Sequence, residues 1–415
     1  MGRRHGVVVG VMERVESRFD VGAAPPRACP SCGSEEQDLI YRQRFERFTS
    51  GSIGDGYDVV ACGTCGACFA SRLPDQARFD EYYGAASKYD LGATDGQLRG
   101  HDAARFGSLA EWVTGEVADR SRPVLDVGTA TGGFLTALRE QGFSSLRGVD
   151  PSPQAVRLAR EEHGLDVKVG GIGEARTWGS RFHLICFCAV LEHLLDPRAT
   201  IQAAAELLDE DGMILIEVPD ATRFRDCISA PYQEFSVEHV NYFTDGSLRY
   251  LMAGADLAPL AQRRFTWAQS ADAEAPILDA MFVRPAGEVG AATADTQGPR
   301  ALVEYVRRSA EKEAAVARRI QALADARRPL YVWGVGTHTL HLLRCSALAE
   351  CNIAAFIDGN PHYSGTTLAG RPVLAPRELP AVDRPILISS AVSQSEIATA
   401  ARDLYGAGVE LILLY

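Results

Sequence analysis

Between residues 121 and 284, short β-rich apolar runs alternate with stretches of helical periodicity. The runs fall at 124–127, 146–149, 166–169, 184–187 and 213–218. Strands buried on both faces read as near-continuous apolar runs, and alternation with helices predicts a parallel α/β sheet. Two later runs, 261–267 and 277–283, suit an antiparallel hairpin closing that sheet. The stretch PAGEVGAATADTQGP (285–299) is small and polar, the composition of a linker. Over 301–327, Leu302, Val306, Val316, Ile320 and Leu323 recur at helical spacing. A second α/β pattern begins at Pro329 with LYVWGVG, IAAFIDGN, PILISS and VELILLY. Upstream, 57–61 reads as a strand and 76–120 as helical, with Phe79, Tyr82 and Tyr83 on one face.

These patterns divide the chain into a loose leader (1–27), a cysteine-rich module (28–75) and an α/β domain with preceding helices (76–284). A linker (285–300) and a helix plus Rossmann-like α/β domain (301–415) follow. The 415 residues suffice for two to three domains. With 54 Asp+Glu against 42 Lys+Arg the net charge is −12, which argues against the broad basic face that nucleic acid requires. No apolar run approaches the ~20 residues of a membrane span. Arg3 and Arg4 precede a short apolar stretch that lacks a cleavage site, so no secretory signal is expected. The expectation is a cytoplasmic protein whose partner is a small-molecule substrate; the sequence leaves the oligomeric state open.

Of the ten cysteines, five fall between Cys29 and Cys68. They read ACPSCGS and, about thirty residues on, ACGTCGAC. Two C-x-x-C knuckles supply four thiolates for tetrahedral zinc, and Cys29, Cys32, Cys62 and Cys65 are the expected ligands. Gly33 and Gly66 permit the tight turns whose amides stabilise sulfur, and Cys68 is a spare. Four thiolates close the coordination shell, so the zinc is expected to be structural.

The first predicted strand of the α/β domain runs into Asp126-Val-Gly128-Thr-Ala-Thr-Gly132-Gly133. The dinucleotide fingerprint G-x-G-x-x-G is absent, because position 130 is Ala. Asp126 would oppose a pyrophosphate, which wants an uncompensated helix N-terminus. It suits S-adenosylmethionine (SAM), which carries an ammonium and a sulfonium and no phosphate. The second strand ends in Asp150, where an acid can accept bonds from both ribose hydroxyls. With the V-L-E-H-L-x-D-P run inside 182–197, residues 121–284 resemble a class I SAM-dependent methyltransferase. The resemblance implies that Asp126, Gly128 and Gly132 line the methionine end. It also implies that Asp150 binds the ribose, that Ala189 lies beside the cofactor, and that adenine sits near 170–172.

Past the fifth strand, PYQEFSVEHVNYFTDGSL (231–248) sets a Glu-His pair among aromatics, on a loop over the strand ends where α/β sheets place their chemistry. His239 can act as general base near neutral pH, and Glu238 can orient or polarise substrate. Thr244 is a plausible N-cap for a helix over 247–253. Glu192 and His193 form a second pair with a structural or cofactor-side role, and His101, Tyr82, Tyr83 and Tyr89 could reach the pocket.

A four-cysteine module, a SAM domain with an E-H-x-x-x-F loop and a C-terminal Rossmann-like domain together resemble the zinc-containing sugar C-methyltransferases. That resemblance implies a nucleotide-linked 4-keto-deoxysugar of an antibiotic pathway as substrate. His239 would deprotonate the carbon beside the ketone, and the enolate would attack the SAM methyl, with a Tyr and a Glu near the His holding the sugar. Two positions depart from that pattern. Ser236 stands where the family has Tyr, with Tyr232 and Tyr242 as candidate replacements, and Tyr363 stands where it has Lys. The last domain's Gly334-Val-Gly336 turn and Asp358 could hold a nucleotide. O- or N-methylation of a sugar or other small metabolite remains open, as does a non-catalytic SAM- or nucleotide-binding scaffold.

Overall fold

The computed structural model describes residues 24–48, 53–79, 82, 100–379 and 382–415. Three sheets organise it. The central one takes its strands in the order β10-β11-β8-β7-β4-β5-β6. These are β4 (Val124–Val127), β5 (Leu146–Asp150), β6 (Asp166–Val169), β7 (Phe182–Cys188), β8 (Leu208–Pro219), β10 (Ala258–Ala268) and β11 (Glu274–Val283). β4 to β8 are parallel, and the β10–β11 hairpin closes the edge antiparallel to β8. Every run expected to be a strand is one, and the long polar-looking start of β8 extends it beyond 213–218.

Alternate residues of the central strands feed two cores, as the two-residue period of a strand requires. Ile214, Ile216 and Val218 enter one core with Leu125 and Phe187. Met213 and Leu215 enter the other with Val124, Leu184 and Cys186, against α1 (Gly100–Glu116) and α2 (Gly133–Glu140). That parity sets the polar residues too. Asp126 pairs in register with Cys186, Cys188 with Glu217, and Glu217 with Asp279, so all five share the α1–α2 face. α3 (Pro153–His163) and α4 (Pro197–Leu207) complete the layers, each capped by a side chain, Ser152 and Asp196, with proline in its first turn.

The N-terminal sheet is β1-β2-β3-β9, from β1 (Gln37–Arg44), β2 (Gly56–Cys62), β3 (Cys68–Ser71) and β9 (Asn241–Tyr242). Its fourth strand is therefore part of the Glu-His loop, 170 residues downstream, and the cysteine module is stitched to the central domain. Arg27, placed by sequence in a loose leader, corrects that reading. Its guanidinium is buried and donates to the carbonyls of Ala70, Leu195 and Val240 and to Asn241 Oδ1 at 2.7–3.0 Å. Residues 1–23, Tyr83 and Tyr89 lie outside the described residues, and His101 is described only as helical backbone.

The end of the expected linker is also fixed. Asp295 is buried, accepts from the Gln297 and Gly298 amides and the Thr244 hydroxyl, and so ties α5 (Asp245–Ala253) to α6 (Gln297–Ala326). Thr244 caps α5 in a reciprocal box with Ser247, so that the helix begins at Asp245, two residues before the start read from sequence. The C-terminal sheet runs β14-β15-β13-β12-β16-β17. Its strands are β12 (Leu330–Trp333), β13 (Ile353–Ile357), β14 (Thr367–Leu368), β15 (Arg371–Leu374), β16 (Ile386–Ile388) and β17 (Leu411–Leu413), with α7 (Thr337–Cys345) and α8 (Gln394–Tyr405). One core joins all three units: Val59 of the first sheet, Phe235 and Val240 of the loop, Leu302 and Tyr305 of α6, and Val332 of the last sheet. No described helix is long and apolar enough to cross a membrane.

Candidate functional site

The turn after β4 is built from backbone that most side chains would refuse. Gly128 and Gly132 have φ of +77° and +87°, and a Cβ would lie 2.5 Å from Val190 Cγ2 at the first and 2.3 Å from Leu165 Cδ1 at the second. Ala130 between them adopts φ +47° and Ala189, at the end of β7, +56°. Such strain, of order 1–3 kcal/mol per residue, gathers at functional sites. What holds Ala130 is Asp150. One carboxylate oxygen accepts from the Ala130 amide and the other from the Ser152 amide, both at 2.8 Å. An ionised carboxylate has about four acceptor sites, and two go to fixing this turn. Gly170, in the expected adenine region, donates its amide to Asp150 O at 2.9 Å.

Asp126 lies beneath the turn, 2% exposed, and its Oδ1 has no hydrogen-bond partner among the described residues. Burial pushes its carboxyl up to about 7 against the neighbouring Thr129 hydroxyl, which pulls it down, while Asp150 and Glu217 add to the rise. A buried acceptor of this kind calls for a cation or donor from a ligand.

The Glu-His loop is clamped onto the segment that follows Ala189. Val240 donates its amide to Glu192 O at 2.7 Å, and Asn241 Nδ2 donates to the carbonyls of Leu191 and Leu194. The two histidines meet edge to face, with centroids 4.9 Å apart. His193 Nδ1 lies 3.1 Å from Glu238 O; a carbonyl only accepts, so Nδ1 carries the proton. Nε2 then faces Glu192, 4.0 Å away. Ligand atoms of Glu192, His193 and His239 lie within 4.8 Å of one another. The second Glu-His pair thus belongs to the same cluster as the first.

Ser236 closes a local turn, its Oγ accepting from the amides of Glu238 and His239 at 3.2 and 3.1 Å. Tyr232, at φ +54°, stacks on Tyr41 with centroids 4.4 Å apart, and the Tyr242 hydroxyl donates to that of Tyr57. Among the described residues Tyr82 reaches the pair, its hydroxyl donating to Glu238 Oε1 at 2.8 Å.

Flanking units hold the loop from two sides. Tyr57 donates to Ser236 O at 2.6 Å and Gln43 Nε2 to Phe235 O at 2.8 Å, both from the cysteine module. From α6, the Tyr305 hydroxyl accepts from the Glu234 amide at 3.0 Å and Lys312 donates to Ile228 O at 2.6 Å. Sequence reasoning missed these anchors. Contacts of 70 to almost 200 residues' separation leave no local signal.

The Sγ atoms of Cys29, Cys32, Cys62 and Cys65 lie within 4.8 Å of one another, with the 29–65 and 32–62 pairs at 3.5 Å. Zinc–sulfur bonds of ≈ 2.3 Å imply tetrahedral edges of about 3.8 Å, so the set fits zinc. The Thr64 and Cys65 amides point at Cys62 Sγ at 3.4 and 3.5 Å. The Cys65 thiol draws Cys29 down to about 5 by hydrogen bonding and is itself raised, while burial pushes Cys32 up to about 11. Cys68 stands apart in β3, its thiol directed at Gly66 O. At Gly66, φ +75°, a Cβ would fall 1.8 Å from Asp295 O.

The last sheet repeats the Asp150 device. Asp358 accepts from the Val335 amide at 2.9 Å and the Asn360 amide at 2.8 Å. Tyr363 meets Phe48 edge to face, with ring centroids 5.1 Å apart.

Residues 101–262, about two-fifths of the chain, match the methyltransferase domain family. The chain is 26% identical over 113 residues to a ubiquinone biosynthesis O-methyltransferase of Neisseria meningitidis serogroup C, covering 25% of this chain and 47% of that one. It is 35% identical over 82 residues to the EEF1A lysine methyltransferase 2 of Mus musculus, covering 18% and 34%. The chain therefore spans less than half the length of these curated relatives. Among solved structures, the SAM-bound magnesium protoporphyrin IX methyltransferase of Synechocystis PCC 6803 aligns at TM-score 0.38 and 16% identity, over 51% of this chain and 98% of that one. The CcbJ methyltransferase of Streptomyces caelestis aligns at 0.38 and 16%, over 48% and 99%.

Proposed function

We propose that this protein transfers a methyl group from SAM to a small-molecule acceptor whose proton is removed by His239. The observation that carries the reading is the convergence of two features at the C-terminal ends of the central strands β4 and β7. One is a strained glycine turn over a buried, unpartnered Asp126 oxygen. The other is a Glu238–His239 loop hydrogen-bonded to the segment leaving Ala189. SAM supplies, when bound, an electrophilic methyl on a sulfonium. Its ammonium fits Asp126, and its ribose hydroxyls fit Asp150.

The chain's own residues then do three things. His239 accepts the acceptor's proton, work that contributes typically 10²–10⁴-fold. Glu238 presents a carboxylate acceptor to polar groups of the substrate, oriented by the Tyr82 hydroxyl that donates to it. Glu192 and His193 set the orientation of the His239 ring, and the anchored loop keeps that orientation without an ordering cost at each turnover. The four cysteines are assigned a structural zinc that fixes the sheet from which β9 extends.

For the acceptor we favour the carbon beside the ketone of a nucleotide-linked keto-deoxysugar, deprotonated to an enolate. Support comes from the three-unit chain order and from Tyr82, which supplies a tyrosine hydroxyl where Ser236 does not. Methylation of a hydroxyl is the second reading, favoured by the use of Ser236 as a turn residue and by the O-methyltransferase relatives. A carbon NMR spectrum of products made with methyl-¹³C SAM, against nucleotide-linked keto, hydroxy and amino sugars, separates them. A carbon-bound methyl supports the enolate route, an oxygen- or nitrogen-bound one discards it, and absence of any SAM turnover discards the enzyme in favour of a scaffold.

A further inference from the structure

Of the ten cysteines, all of them among the described residues, Cys345 alone is exposed. It is the last residue of α7, and His341 lies four residues before it, so the two side chains share one helix face a turn apart. His341 is 1% exposed. Its Nε2 meets Glu313 Oε1 of α6 at 2.8 Å, and its Nδ1 is buried with no hydrogen-bond partner among the described residues. The Cys345 sulfur is directed at Arg44 O only at 4.0 Å, a long contact for a weak S–H donor. An orphaned ring nitrogen and a barely committed thiol thus stand side by side, with a carboxylate behind the ring.

Charge decides what this trio can do. α7 holds a second histidine, His338, its ring centroid 6.2 Å from that of His341. Burial drives His338 down to about 3, with the His341 and Lys312 charges adding to the fall. It therefore stays neutral, bonded to the Tyr415 hydroxyl. His341 goes the other way. Burial favours its neutral ring, but Cys345 and Glu313 outweigh burial and hold it up to about 10. A protonated imidazole donates from both nitrogens. Nε2 donates to Glu313, which leaves the Nδ1 proton for an anion. Cys345 ends its helix, where the dipole disfavours negative charge, so a thiolate there depends on that neighbouring cation.

We propose that Cys345 is a modification site, a nucleophilic thiolate paired with the His341 imidazolium and oriented through Glu313, that takes low-molecular-weight disulfides as its substrate class. The step is an exchange. The Cys345 sulfur bonds to one sulfur of the disulfide, and the S–S bond of the reagent breaks. The other half leaves as a thiolate and takes up the proton that Cys345 has lost. Cys345 is oxidised, the disulfide is the oxidant, and excess thiol reverses the exchange. The remaining cysteines compete poorly. Four form the clustered set of the N-terminal module, and Cys68, Cys186, Cys188, Cys227 and Cys351 are buried or half-buried. The site lies outside the methyl-transfer chemistry and stands whatever the acceptor is.

The test treats the full chain at pH 7 with oxidised glutathione and follows the mixed disulfide at each cysteine by peptide mass mapping. Cys345 should react first and be released by dithiothreitol. His341→Gln keeps the thiol but removes the cation, and should slow the reaction at Cys345 by about 10-fold or more. Because that ring is buried, Glu313→Gln serves as a second variant, at a side chain that is 25% exposed. It should slow the same reaction by about 3-fold or more. Modification of another cysteine ahead of Cys345 would overturn the proposal. So would a Cys345 rate in both variants that equals or exceeds the wild-type rate, since exposure alone would then set the reactivity.

Discussion

Replacing Asp126 with Asn removes one buried charge and leaves the side chain's shape almost unchanged. In the ligand-free protein the Asp126 carboxyl sits at about 7 against an ordinary 3.8, chiefly through burial. At ~1.36 kcal/mol per pH unit, ionising it costs the folded state about 4 kcal/mol. An acid whose pKa rises on folding imposes no cost below its unfolded pKa. The cost grows as pH rises through the interval between the two values and is complete above the folded one. Asp126→Asn should therefore match the wild type in ligand-free stability near pH 4 and exceed it at pH 8, with about 4 kcal/mol as the ceiling. Urea unfolding at the two pH values reads the difference.

Binding should move the opposite way. A ligand ammonium needs the ionised carboxylate, so wild-type affinity for S-adenosylhomocysteine should fall as pH drops below about 7, by up to tenfold per unit. The Asn variant should bind more weakly at pH 8, by on the order of 10- to 100-fold for a lost charged hydrogen bond, with a flatter pH profile. An Asn variant that is less stable than wild type at pH 8 and keeps wild-type affinity and pH profile would refute the reasoning. Asp126 would then be a structural acid with an internal partner.

His239→Asn should lower turnover by about 10²–10⁴-fold while S-adenosylhomocysteine affinity stays within about twofold; a drop under tenfold would point to an acceptor that needs no base. Tyr82→Phe removes the donor to Glu238 and should raise the acceptor KM more than it lowers kcat, measured by steady-state kinetics with labelled SAM. Metal analysis should find one zinc per chain, and Cys62→Ser should lose the metal together with thermal stability, because β9 and the loop hang on that sheet. Gly66→Ala forces a Cβ to 1.8 Å from the Asp295 carbonyl at φ +75° and should cost more than about 2 kcal/mol; an unchanged melting curve would show that the 295 segment does not seal the knuckle.

The sequence by itself determined what depends on neighbours along the chain. Strand runs of the central sheet were legible because buried parallel strands must be apolar throughout, and β4 and β6 begin and end where the pattern says. The glycine turn, Asp150 at the next strand end, the Thr244 cap and the two C-x-x-C knuckles are all local devices whose spacing is their geometry. Only the tertiary structure decided which distant groups complete them. β9 joins the cysteine sheet to the Glu-His loop, Tyr82 rather than Tyr232 or Tyr242 meets Glu238, and Arg27 leaves the expected leader to fasten four acceptors. Arg105 and Glu217, 112 residues apart, meet because strand parity and helix direction put both on one face of one sheet. A side chain buried among partners so distant in sequence has no period to betray it. Its environment exists only after the chain has closed.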